Sequence, residues 1–218
     1  MKTKVPVVTE EGSTLGQVSV SVLANERSSS VAILAHGAGG NMESPAIVGL
    51  QKRLASSVTA VRFNFVYSER GKKSPDRQAA LVACWRSVAD WVRKELEPEK
   101  LYLGGRSMGG RMASYLVADG YPADGIFFVA YPLHPPGKPE QQRKEHLASI
   151  RVPMLFVSGT SDAFAKLDLL EPVVSRLGAR LHLIEGADHG FKVPKSQKRK
   201  PEEIEDEVAR VVLAFLDS

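Results

Sequence analysis

A chain of 218 residues, 43% hydrophobic and 25% charged, has the composition of a soluble globular protein and is long enough to bury a core without disulfides or a structural metal. The formal charge of +4 is mild, and much of it sits in one stretch near the C-terminus, so charge alone does not argue for nucleic acid. Cys84 is the single cysteine and excludes an internal disulfide, which fits a reducing compartment. No apolar run approaches a membrane span, and the basic Met1-Lys-Thr-Lys is followed by no apolar signal-peptide region. One cytoplasmic domain over residues 1–218 is therefore expected.

In chain order, strands alternate with helices. Val5–Val8 and Gln17–Leu23, split by Glu10-Glu-Gly-Ser, read as an antiparallel hairpin at a sheet edge. Val31–Ala35 is a continuous apolar strand, followed by the glycine-rich His36-Gly-Ala-Gly-Gly-Asn41. Pro45–Leu54 reads as a helix and Thr59–Phe65 as a strand. Ser74-Pro75 looks like a helix start, opening a helix with Leu81, Trp85, Val88 and Val92 on one face that stops before Pro98. Leu101–Leu103 is a short buried strand, and from Ser107 onward Met108, Met112, Tyr115 and Leu116 recur at helical spacing, with Gly120 as the stop. Strand Gly125–Ala130 leads to the proline-rich Tyr131–Pro139, followed by strand Pro153–Val157, helix Leu167–Leu177, strand Leu181–Glu185 and a last helix from Pro201. This alternation predicts an α/β protein with a mostly parallel, doubly wound sheet covered on both faces, an N-terminal antiparallel hairpin and no separate cap domain.

Between Leu103 and Met108 lies Gly105-Arg-Ser107-Met-Gly109, a G-x-S-x-G joining a strand to a helix. A turn that tight strains the serine backbone and leaves no room for side chains at the flanking positions, while it presents the hydroxyl at a helix N-terminus. Ser107 is therefore the candidate nucleophile. In sheets of this kind ligands bind beyond the carboxyl ends of the strands, and two further polar groups fall there. Ser158-Gly-Thr-Ser-Asp162 follows one strand and Gly186-Ala-Asp-His189-Gly190 another. Chain order serine, acid, histidine is the order this elbow uses.

His189 is preferred as base because imidazole titrates near neutrality and only this histidine has both the right order and a strand-end position. Asp162 is preferred as the acid that orients it, over Asp168, Glu185 and Asp188. Of the other histidines, His182 lies within a strand, His146 belongs to a charged surface run, His36 orients the glycine loop and His134 lines the pocket from the proline-rich loop. The His36–Gly40 stretch resembles an HGGG-type loop that gives one main-chain N–H to an oxyanion hole. The expected donors are Ala38 and Met108, with Gly39 as second choice. Arg106, Tyr131 and His134 are expected around the substrate, with Tyr67–Lys73 as a second overhang.

On these motifs the chain resembles the serine α/β-hydrolases, in the small lid-poor group similar to dienelactone hydrolases. Leu103–Arg111, Tyr131-Pro-Leu-His134-Pro, Phe156-Val-Ser-Gly-Thr160 and Asp188–Pro194 resemble more narrowly a branch that includes testis-expressed and histone-acetyltransferase-complex (NSL) subunit homologues. The nucleophile of dienelactone hydrolases is cysteine where Ser107 stands here, so a lactone substrate is not implied. The resemblance implies a serine hydrolase acting on a small carboxylic ester or thioester through an acyl-enzyme, with no cofactor, no metal and no membrane partner. Two other readings use the same residues. One is a scaffold or ligand receptor of this fold with a vestigial site. The other is a nucleic-acid-associated protein using the basic loop Lys192–Lys200, for which most such charge runs are simply solvated.

Overall fold

The computed structural model describes residues 1–218. Eight strands form one sheet: β1 (Lys2–Val8), β2 (Thr14–Leu23), β3 (Ser30–Ala35), β4 (Thr59–Phe63), β5 (Lys100–Arg106), β6 (Gly125–Val129), β7 (Met154–Gly159) and β8 (Arg180–Ile184). Their spatial order is β1-β2-β4-β3-β5-β6-β7-β8. β1 and β2 are antiparallel to each other, and β2 is antiparallel to β4, while β3 through β8 run parallel. The strands at the centre of the sheet carry side chains buried on both faces, as crossover helices require. This is the α/β-hydrolase arrangement, with no separate cap.

Six helices complete it: α1 (Pro45–Leu54), α2 (Val66–Glu69), α3 (Gln78–Leu96), α4 (Met108–Ala118), α5 (Leu167–Arg176) and α6 (Pro201–Leu216). None is long and apolar enough to cross a membrane. α1 packs against α6 over Ala32, Leu34, Phe127 and Val157 on one face of the sheet. α3, α4 and α5 bury Trp85, Val88, Met112, Leu116 and Leu170 against Ile33, Leu103 and Phe128 on the other. Packing on both faces leaves the carboxyl ends of the strands as the open rim, where the loops carrying polar groups gather.

Three local expectations are corrected. Ser74-Pro75 does not open a helix: α3 begins at Gln78 behind Arg77, with no side-chain cap. Ser74 and Pro75 are exposed, and the apolar stripe that would hold a helix to the core starts only at Leu81. The strand expected through Phe65 ends at Phe63, because Asn64 turns its amide side chain to Met42 and Glu69 and the backbone enters α2. Tyr67 is consequently buried beneath the glycine loop, and only the residues after it overhang. His146 is not a free surface residue. It lies in a 3₁₀ turn, stacks on Tyr115 at 3.8 Å between centroids and shares a 2.8 Å hydrogen bond with the Ser114 hydroxyl.

Candidate active site

Ser107 joins β5 to α4 with φ 51° and ψ −118°, a conformation that side-chain-bearing residues avoid and that costs about 1–3 kcal/mol. The surroundings hold it there. The Ser107 amide donates to the Val129 carbonyl at 2.9 Å, and its own carbonyl accepts from Arg111 at 3.1 Å. A Cβ at Gly105 or Gly109 would collide with the Ala35 carbonyl of β3, so both flanking positions require glycine for space. The glycines thus let the elbow press onto the sheet, and the serine is lifted clear.

Two other strand ends deliver the partners. Asp162 follows β7 and His189 follows β8, and the structure brings both to Ser107. His189 Nε2 lies 2.8 Å from Ser107 Oγ, and His189 Nδ1 lies 2.8 Å from Asp162 Oδ2. A carboxylate oxygen accepts, so Nδ1 carries the proton and Nε2 is left to accept from the serine hydroxyl. The other Asp162 oxygen accepts the Phe164 amide at 2.7 Å, and the Asp162 side chain is wholly shielded while His189 remains partly open. The Phe164 ring lies 4.2 Å from that of His189, centroid to centroid.

The acid and histidine loops are fastened together. The Ser161 amide donates to the Ala187 carbonyl at 2.9 Å, and the Thr160 hydroxyl accepts the Gly186 amide at 2.6 Å. Gly159 has no room for a Cβ because the Ala187 carbonyl occupies that place. Arg106 adds a third tie, its Nη2 donating to the His189 carbonyl at 3.1 Å. Asp188, a competitor for the acid role, instead accepts the Gly190 and Lys192 amides at 2.7 and 2.9 Å and shapes its own loop. Asp168 is exposed on α5, and Glu185 is exposed after β8.

The glycine loop lies against the serine: a Cβ at Gly37 would stand 3.5 Å from Ser107 Cβ. His36 fixes this loop. Its Nδ1 donates to the Gly37 carbonyl at 2.8 Å and its Nε2 accepts the Phe65 amide at 3.3 Å, with the ring fully buried. Burial outweighs the Gly37 contact and lowers the His36 pKa to about 4, which keeps the ring neutral. The Gly37 carbonyl also accepts from the Gly40 amide and the Tyr67 hydroxyl. The Ala38 amide has no acceptor within the protein, whereas the Gly39 amide lies by the Tyr67 hydroxyl. Met108 is the first residue of α4, so its amide has no intrahelical partner. Ala38, next to Gly37, and Met108, next to Ser107, therefore carry amides without a partner in the protein, and Gly39 does so less freely.

The remaining expectations divide. Arg106 is at the site. Tyr131 and His134 are both buried and so are not open to a substrate: Tyr131 donates its hydroxyl to the Arg143 carbonyl at 2.6 Å, and the His134 amide donates to the carbonyl of Phe164, the residue against His189, at 3.0 Å. His134 Nδ1 donates to the Pro135 carbonyl at 2.9 Å and Nε2 accepts the Lys166 amide at 3.2 Å. The start of the proline-rich stretch, Tyr131–His134, turns inward because its aromatic and imidazole rings find core space and backbone partners there, while Pro136-Gly-Lys138 stay exposed. Sequence reasoning passed over Phe164, for which the chain gives no signal. It also passed over the clasp at Gly159 and Thr160, for which the glycine at a strand end is a signal.

The model of the alpha/beta hydrolase domain family matches residues 28–217. The fold is shared with solved structures of low identity. An alpha-beta serine hydrolase homologue from Coxiella burnetii is 20% identical, with 98% of this chain and 97% of that one covered and a TM-score of 0.74. An α/β serine hydrolase without lid from Xanthomonas campestris is also 20% identical, covering 100% and 96% at a TM-score of 0.73. A dienelactone hydrolase from Anabaena variabilis is 16% identical, covering 98% and 95% at a TM-score of 0.74. With a family match spanning nearly its whole length and the same sheet beneath it, this chain belongs to the α/β-hydrolase family.

Proposed function

We propose that this protein is a serine hydrolase that cleaves a small carboxylic ester or thioester, acting as one domain over residues 1–218. In this reading Ser107 Oγ attacks the acyl carbon while His189 Nε2 takes the hydroxyl proton. Asp162 stabilises the imidazolium, and the Ala38 and Met108 amides receive the charge on the carbonyl oxygen. Collapse passes the proton from His189 to the leaving alcohol or thiol and leaves an acyl-serine. Water, deprotonated by His189, then attacks the acyl-serine, and the acid is released with Ser107 restored. The motif likeness to the testis-expressed and NSL-subunit branch adds no choice of substrate. The observation that carries the reading is the unbroken Oγ–Nε2, Nδ1–Oδ2 line of two 2.8 Å contacts from three separate strand ends.

A fluorophosphonate probe tests it. Labelling of the wild type and none of Ser107→Ala is expected, with p-nitrophenyl ester turnover falling by about a thousandfold or more in the variant. A folded wild type that takes no label and turns over no ester or thioester in a chain-length series overturns the hydrolase reading and leaves the scaffold.

A further inference from the structure

A cavity of about 480 Å³ opens beside the site, between α1, α6 and the loop after His189. That volume is in the range that encloses a small organic ligand. Its walls are apolar: Ile47 and Leu50 from α1, Val129 from β6, Phe191 from the loop, and Ile204 and Val208 from α6. Neither Ser107 nor His189 lines it; contact with the site runs through Arg106 and Gly190.

The charges around this apolar space do not cancel. Arg106, Lys192, Arg199 and Glu205 border it. Glu205 is paired with Arg53 at 2.9 Å, and Arg199 with Glu207 at 2.6 Å. Arg106 has no carboxylate within 4 Å, and its one hydrogen bond in the protein goes to the His189 carbonyl. Its remaining guanidinium N–H groups are without acceptors in the protein yet not sealed off, unlike the Arg111 Nε, and Arg106 is one of the residues lining the cavity. Burial lowers the Arg106 pKa despite the nearby Asp188 and Asp162, a sign that the cation is under-solvated where it sits. Lys192, exposed at the mouth, is also in no ion pair.

We propose that this cavity binds an apolar chain ending in a single carboxylate, with the chain between α1 and α6 and the head group on Arg106. A guanidinium presents a fork that matches a planar carboxylate, and Lys192 adds a second positive charge at the entrance. Glu205 on the same rim disfavours a multiply charged head. The site stands apart from the hydrolase reading, because binding needs no chemistry at Ser107. Such a ligand would arrive either as the acyl part of a substrate, bound as its released acid, or as a separate effector reaching the His189 loop through Arg106.

Decanoate titrated calorimetrically into the Ser107→Ala protein tests the site, with decanol as the neutral control. One saturable site is expected for decanoate, at least tenfold weaker in Arg106→Gln and in the cavity-filling Val208→Phe, and severalfold weaker in Lys192→Gln. Decanol is expected to bind at least tenfold more weakly. Lys192→Gln keeps the test sound if the buried variants fail to fold, since Lys192 is exposed. No heat at millimolar decanoate, equal affinity for decanol, or decanoate binding unchanged in Lys192→Gln and in folded Arg106→Gln overturns the proposal. Wild-type turnover of p-nitrophenyl acetate separates the two sources. Competitive inhibition by decanoate assigns the cavity to the substrate path, and a non-competitive change assigns it to an effector. A protein without turnover would fail the hydrolase reading while leaving the calorimetric result intact.

Discussion

Two histidines outside the candidate triad use one device. His36 and His134 each donate from Nδ1 to the carbonyl of the next residue and accept a distant backbone amide on Nε2. Each ring thereby pins a turn, and each would lose the Nε2 acceptor on protonation. The consequence for stability follows at His36, whose folded pKa is depressed from 6.5 to about 4 by burial. Above pH 6.5 the ring is neutral folded or unfolded and contributes no pH dependence. Below that, the unfolded chain takes up a proton that the native protein refuses, so stability falls as pH drops from about 6.5 to about 4, by at most about 1.4 kcal/mol per pH unit. His146, lowered to about 4 by burial and by Arg111, acts in the same direction. Denaturant unfolding at pH 7 and pH 5 measures the slope, and imidazole NMR assigns it; a His36 ring titrating near 6.5 in the folded protein contradicts this account. Gly159 gives a second prediction at this scale. Gly159→Ala places a methyl on the Ala187 carbonyl, between the acid and histidine loops. A cost of about 1–3 kcal/mol is expected, read as a lower Tm. Ester turnover should fall further than the unfolded fraction explains, because His189 is displaced from Asp162.

At the level of elements, the elbow is supported from behind by α3. Trp85 is fully buried, meets Phe63 edge-on at 4.9 Å and donates its indole N–H to the Gly109 carbonyl at 3.0 Å. Trp85→Phe removes that bond and part of the ring, with an expected loss of about 1–3 kcal/mol by chemical denaturation. An unchanged unfolding midpoint would mean that α3 does not brace the elbow. These supports explain how much the chain discloses about itself. The strand and helix alternation, the edge hairpin and Gly105-Arg-Ser107-Met-Gly109 are legible because each is encoded locally, by apolar period or by glycine spacing. Asp162 and His189 are legible only through chain order and strand-end position, which the parallel sheet converts into proximity. The false helix start at Ser74 had good local chemistry but no apolar face behind it. Tyr131 and His134 misled for the opposite reason: a proline-stiffened stretch after a strand reads as a loop over the site, and only tertiary packing turns its rings inward. The buried set of Gln51 and Arg62, with Gln51 donating to the Ser21 and Ala60 carbonyls at 2.9 Å each, has no sequence period at all.

Across the whole molecule, the two faces of the sheet are filled unequally. The α3–α4–α5 side holds the larger apolar cluster, with Trp85, Tyr67, Tyr131 and several phenylalanines, whereas the α1–α6 side is smaller and leaves the 480 Å³ space open at its upper end. The apolar wall of that space is surface that a larger side chain would take out of water. Filling it modestly should therefore stabilise the protein. Val208 sits on α6, 5% exposed, with its methyl groups on the cavity wall. Val208→Leu adds one methylene into open space and exchanges a β-branched residue for a better helix former. A gain of about 0.5–2 kcal/mol is expected, visible as a Tm rise of a few degrees by calorimetry. If the space is only loose packing, that gain comes without loss. If it is kept open for an anionic chain, the same substitution weakens decanoate binding while it raises Tm, the trade between stability and function that a maintained cavity implies. A Tm that falls would show the α1–α6 wall to be already close-packed around Val208, and the cavity to be narrower there than its lining indicates.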